Sequence, residues 1–189
     1  MAHIHWRSYD PNLYNQHIPP WENYLLWFMG HFSGIPEFER YHFTSIDKSI
    51  ERGIGLCGDA SMLLSNILDR HKIENKIVVF PGHVVVELSE YNIVLDPDFG
   101  VVTNSPLNSL IADADLLINS YMSNNVRRSA IDILADGIVK GVIKFDGVNH
   151  FVTKKYYFER ISYVMIWVLP FLQFYLAYFL YTRLKNTRK

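Results

Sequence analysis

Cys57 is the only cysteine in this 189-residue chain, and it stands in Gly55-Leu56-Cys57-Gly58-Asp59-Ala60 at the entry to a helical pattern. Leu56, Ala60, Leu63, Leu64, Ile67 and Leu68 recur with the 3.6-residue period, which predicts a helix from about Gly58 to His71 with one apolar face. The glycines at 53, 55 and 58 suit a tight entry into it. A thiol at a helix N-terminus meets the positive end of the helix dipole, which favours the thiolate and so makes a nucleophile. Downstream, Lys76-Ile77-Val78-Val79-Phe80 reads as a strand, Pro81-Gly82 breaks it, and His83 heads a second extended run. His83 shares a pleat face with Val85 and Glu87. Glu90-Tyr91-Asn92 forms a turn, Ile93-Val94-Leu95 a further strand, and Asp96 closes it before Pro97. Antiparallel pairing of these two neighbours brings His83 and Asp96 together. In such a set the imidazole takes the thiol proton, while the carboxylate fixes the tautomer and stabilises the imidazolium.

The pattern G-x-C-G-D-A, a helix, an extended strand, G-H-V-x-V-E and then L-D-P resembles the core of the transglutaminase-like superfamily of papain-type cysteine enzymes, in its membrane-anchored bacterial type. The resemblance covers roughly Arg52 to Val102. It implies an α+β fold in which a nucleophile helix packs on an antiparallel sheet. It also implies Cys57 as nucleophile, His83 as general base and Asp96 as orienting acid. Members hydrolyse or transfer acyl groups at amide bonds, and no cofactor is implied. Papain-type enzymes often add an oxyanion-hole side chain upstream of the cysteine, for which Tyr41, His42 and Trp21 are the candidates.

Plainer readings stand beside this one. A lone cysteine is ordinarily a small buried apolar residue; the order Cys, His, Asp argues against that here. Zinc held by Cys57, His83 and Asp96 is disfavoured, because three ligands come from three elements with no second cysteine. Asp98 is a rival to Asp96 but falls after Pro97, in the turn. Glu87 either reaches the site or occupies a solvated strand position. The rival function is a non-catalytic membrane adaptor that keeps the fold and holds a partner peptide in its groove.

The length suits one domain, residues 1–153, with an appendage over residues 154–189. Residues 1–153 carry 11 Lys and Arg against 18 Asp and Glu, a balance of −7; residues 154–189 carry 7 against 1, a balance of +6. An acidic body with a basic tail speaks against nucleic acid and for a membrane-facing C-terminus. The expected partners are a peptide or protein amide substrate, the lipid bilayer and other membrane proteins. One cysteine excludes an internal disulfide.

The first residues lack the basic-then-apolar pattern of a secretory signal. His3, His5 and His17 read as scattered surface histidines rather than a metal site. Pro19-Pro20 precedes an aromatic helix over Trp21–Met29, ended by Gly34-Ile35-Pro36, and Thr44–Ile50 predicts a short helix. Beyond the site, Val101–Thr103 extends the sheet, and one helix is expected from Leu107 to about Tyr121. A helix over Ser129–Leu134 follows, with Gly137-Ile138-Val139 and Val142–Phe145 extended. Arg127-Arg128 reads as a solvated pair and His150 has no recognisable partner. Ile161–Tyr181 is an uncharged run of 21 residues, flanked by aromatic and basic residues. As a helix it spans ~31 Å, one hydrocarbon thickness, and Pro170 should kink it. The expected arrangement is a single C-terminal anchor with the catalytic domain in the cytoplasm.

Overall fold

A computed structural model describes residues 17–39, 41–53 and 55–187; His3 and His5 lie outside them. The fold is α+β, and the described residues divide into two compact units. One is His42–Tyr156; the other joins residues 17–39 and Tyr41 to residues 157–187.

The first unit is built on an antiparallel five-stranded sheet. Its strands are β1 (Lys76–Phe80), β2 (His83–Leu88), β3 (Ile93–Asp96), β4 (Val101–Thr103) and β5 (Ile143–Phe145), in the order β4-β3-β2-β1-β5. β1 and β2 turn through Pro81-Gly82 with Gly82 at φ 89°, a left-handed conformation that favours glycine. A short 3₁₀ turn with Asn92 at φ 56° joins β2 to β3.

Alternation along the strands feeds two separate cores. On one face Ile77, Val79 and Val84 meet Met62 of α4 (Cys57–Arg70) and Val148 of the short α8 (Val148–Phe151). On the other face Val78, Phe80, Val85, Val94 and Val101 meet the helices that follow the sheet. These are α5 (Leu107–Ala112), α6 (Ala114–Met122) and α7 (Arg128–Val139). Leu107, Leu110, Leu117, Tyr121, Ile131, Leu134 and Ile138 supply their apolar side.

Two expectations in this region are corrected. The single helix from Leu107 to Tyr121 is broken at Asp113, whose backbone is extended at φ −129°, ψ 100°. Its carboxylate accepts the N–H groups of Asp115 and Leu116 and so starts α6 afresh. Gly137–Val139 is the end of α7, not a strand. The glycine is there for approach: a Cβ on Gly137 would lie 2.2 Å from the Pro81 carbonyl oxygen. Gly137→Ala is therefore expected to lower stability by about 1–3 kcal/mol, despite the better helix propensity of alanine. Thermal unfolding measures it, and an unchanged midpoint would show that α7 does not press on the β1–β2 turn.

Two smaller expectations also change. Glu87 is buried rather than solvated, and its Oε2 lies 2.6 Å from Lys144 Nζ on β5. His150 has a local partner, since its Nδ1 accepts the Asp146 N–H and its ring stands against Phe145. α3 (Ile46–Arg52) matches the short helix read over Thr44–Ile50 and ends at Gly53, φ 64°.

The second unit pairs α1 (Pro20–Phe32) and α2 (Pro36–Glu39) with α9 (Thr153–Thr187), whose first residues belong to the first unit. Asn23 interrupts α1 at φ −157°, ψ 97°. Its Oδ1 accepts the N–H groups of Leu25 and Leu26, re-capping the helix, and its Nδ2 donates to Ser162 Oγ at 3.1 Å. Tyr163 donates to Glu22 and Tyr41 to Glu159, so buried polar groups find partners across this contact. Trp21, Phe28 and Phe32 remain exposed. α9 runs for 35 residues with Pro170 inside it and, among the described residues, is the one helix long and apolar enough to cross a membrane.

Candidate functional site

Cys57 is the first residue of α4, following Leu56 with its extended backbone. Asp59, two residues on, binds the entry together: its Oδ2 accepts the Leu56 N–H at 2.8 Å and lies 2.7 Å from His42 Nδ1. One turn into the helix, the fully buried Ser61 donates to the Val84 carbonyl at 2.9 Å. Val84 follows His83, so this bond holds the helix start against the start of β2.

The register places His83 and Asp96 on one face. Val86 pairs with Leu95 and Glu87 with Val94, so one further step sets Asp96 opposite Val85. His83 lies two residues from Val85 and shares its face. Its Nε2 is 2.7 Å from Asp96 Oδ2, which leaves Nδ1 for the thiol. Cys57 Sγ lies within 4.8 Å of a ring nitrogen of His83, so thiol, imidazole and carboxylate form one cluster. The rings of Phe80 and Phe99, 5.8 and 5.3 Å away, flank the imidazole.

Asp96 is almost wholly buried and fully engaged. Besides His83, its Oδ2 accepts the Tyr121 hydroxyl at 2.8 Å, and its Oδ1 accepts the N–H groups of Asp98 and Phe99. Burial, and then the charge and hydrogen bond of Asp96, raise the Tyr121 phenol, which stays a donor. Burial alone pushes the His83 imidazole down, but its interactions with Asp96, the hydrogen bond first, and with the nearby Cys57 outweigh this and raise it to about 9. His83 is therefore an imidazolium at neutral pH.

The structure thus brings Cys57, His83 and Asp96 together. Asp98 lies beside them, but on the side of the thiol. A carboxylate oxygen of Asp98, Cys57 Sγ and a ring nitrogen of His83 fall within 4.8 Å of one another. If a divalent ion entered, this trio would meet it; Asp96, turned to the back of His83, is committed elsewhere. Of the oxyanion-hole candidates, His42 belongs to the same unit as Cys57 and touches its helix through Asp59. Tyr41 and Trp21 belong to the other unit; the Tyr41 hydroxyl is given to Glu159 and Trp21 is 87% exposed.

Sequence reasoning did not find Tyr121 or the His42–Asp59 pair. Tyr121 looked like one more apolar position in a helix. Asp59 did carry a signal, since an acidic residue three after the last extended residue is the N3 position of a helix start. No family model matches the chain, and no curated protein or solved structure matches it.

Proposed function

We propose that this chain is a membrane-anchored cysteine enzyme of the transglutaminase-like type, hydrolysing or transferring acyl groups at amide bonds of a peptide or protein. The observation that supports it most is the clustering of Cys57, at a helix N-terminus and within 4.8 Å of a ring nitrogen of buried His83, with buried Asp96, which is hydrogen-bonded to His83 Nε2 at 2.7 Å. Cys57 attacks the carbonyl carbon as thiolate; the His83 imidazolium then gives its proton to the departing amine. Asp96 keeps the imidazole in the tautomer that faces sulfur. The papain-type arrangement of helix on sheet belongs to the same reading, supported by α4 packing against β2.

We place the span near residues 161–181 and the unit carrying Cys57 on the cytoplasmic side. Exposed Trp21, Phe28 and Phe32 suit the headgroup level beside it.

The test uses the single cysteine, which makes every thiol label unambiguous. Iodoacetamide is expected to alkylate Cys57 in native membranes at pH 6.5, and His83→Ala is expected to slow this at least ~10-fold by removing the cation beside the thiol. Because His83 keeps its proton until the pH passes about 9, turnover needing that proton should fall as the pH rises through that value. A thiol inert in the folded protein, or indifferent to His83, supports the adaptor instead.

A further inference from the structure

Among the described residues, Asp98 places a carboxylate at the thiol that the relay does not use. Its backbone N–H is held by Asp96 Oδ1, which fixes the turn after Pro97 and sets its side chain near Cys57. The carboxylate is half-buried and makes no hydrogen bond or ion pair among the described residues. Burial raises its pKa, the His83 charge pulls it back and Asp96 raises it further. A negative group at the mouth of a thiolate opposes the nucleophile it stands beside. It becomes useful when the substrate brings a positive charge there.

Resting on the reading of Cys57 as an acyl-forming nucleophile, we propose that Asp98 binds the α-ammonium of the acyl donor, so that the site takes amides of amino acids whose α-amine is unblocked. Reach favours this group. An α-nitrogen lies about 2.5 Å from the carbonyl carbon that sulfur attacks, short enough to stay beside a carboxylate held within 4.8 Å of the thiol; a lysine side-chain ammonium on the same residue extends well past it. Charge favours it over an attacking amine as well. An amine nucleophile must shed its proton, and an adjacent carboxylate holds that proton in place. The α-ammonium of the donor keeps its proton throughout.

The steps balance. The C–S bond forms as thiolate attacks, the C–N bond breaks, and the leaving amine takes the His83 proton. Water then adds to the thioester and gives one proton to His83. The amino acid leaves with its new carboxyl group, and the thiolate–imidazolium pair is restored.

Two probes on the whole 189-residue chain test this. The first compares cationic trimethylammonioethyl and anionic sulfonatoethyl methanethiosulfonates, with rates of Cys57 modification read by intact mass and normalised to free cysteine. The cationic reagent should be favoured, and Asp98→Asn should shift the ratio at least ~10-fold toward the anion. The second is protection of Cys57 from alkylation by leucinamide but not by N-acetylleucinamide, lost in Asp98→Asn. A reactive Cys57 with the same charge preference and protection in both proteins overturns the role of Asp98 alone. A Cys57 inert to both reagents overturns the nucleophile reading and this proposal with it. Protection by zinc that Asp98→Asn abolishes, without any preference for leucinamide, assigns Asp98 to a metal ion and overturns the proposal too.

Discussion

Asp96→Asn is expected to reduce turnover of an aminoacyl p-nitroanilide on the order of 10⁴-fold, as loss of the orienting carboxylate does in triads of this kind. The cause is tautomeric rather than steric. The asparagine oxygen would stay with the N–H groups of Asp98 and Phe99, which now bond Asp96 Oδ1. Its amide nitrogen would then face His83 Nε2, and two donors cannot meet. The imidazole must move its proton to Nδ1, the nitrogen that should receive the proton of Cys57. Iodoacetamide alkylation at pH 6.5 should fall in parallel, which gives a readout free of any substrate. Asp136→Asn, at an exposed carboxylate paired with Lys140, makes the same charge change without effect. Circular dichroism separates this from unfolding, since the substitution is isosteric and Tyr121 can reverse its hydrogen bond to accept from the amide. A folded variant with near-normal turnover would remove Asp96 from the mechanism.

Leu169→Arg is expected to loosen the protein from membranes. A charged residue at the centre of a span costs about 2.5 to 3.5 kcal/mol, whereas leucine-like residues contribute about −0.3 to −0.6 each. The substitution therefore offsets several apolar neighbours and shifts the insertion equilibrium by roughly 10²-fold. Leu169 precedes Pro170, whose missing N–H already leaves one carbonyl of α9 without its helical donor. The variant should appear in the carbonate-soluble fraction, or be degraded, while the parent resists extraction. The same preparation checks orientation, because a reporter fused after Lys189 should read non-cytoplasmic. If the variant is retained as well as the parent, α9 is held by protein contacts rather than by lipid.

Local chemistry was enough to read much of this molecule from its residues. Alternation of period two is a property of the extended chain itself, so the faces of Lys76–Phe80, His83–Leu88 and Ile93–Asp96 followed without knowledge of neighbours. The helix after Cys57 and the apolar run of α9 were legible for the same reason, since each pattern repeats within one element. Asp96 could be preferred to Asp98 because it still lay inside a strand whose pairing fixed its direction.

What lay beyond Pro97 had no such constraint, and only the folded turn set the side chain of Asp98 beside Cys57. The other late decisions share this character. Asn23 and Ser162 are 139 residues apart in the chain, as are Tyr121 and Asp96 by 25, and no periodicity links them. Gly137 resembled a strand residue until Pro81 came close enough to exclude any side chain. Asp113 belonged to an unbroken apolar pattern, yet packing of α5 and α6 over the sheet required a turn there, and its carboxylate met the freed N–H groups. Element types are written in short-range sterics and hydrophobic period. Partners across the fold are decided by which polar groups burial leaves needing one another, and that becomes known only when the chain has packed.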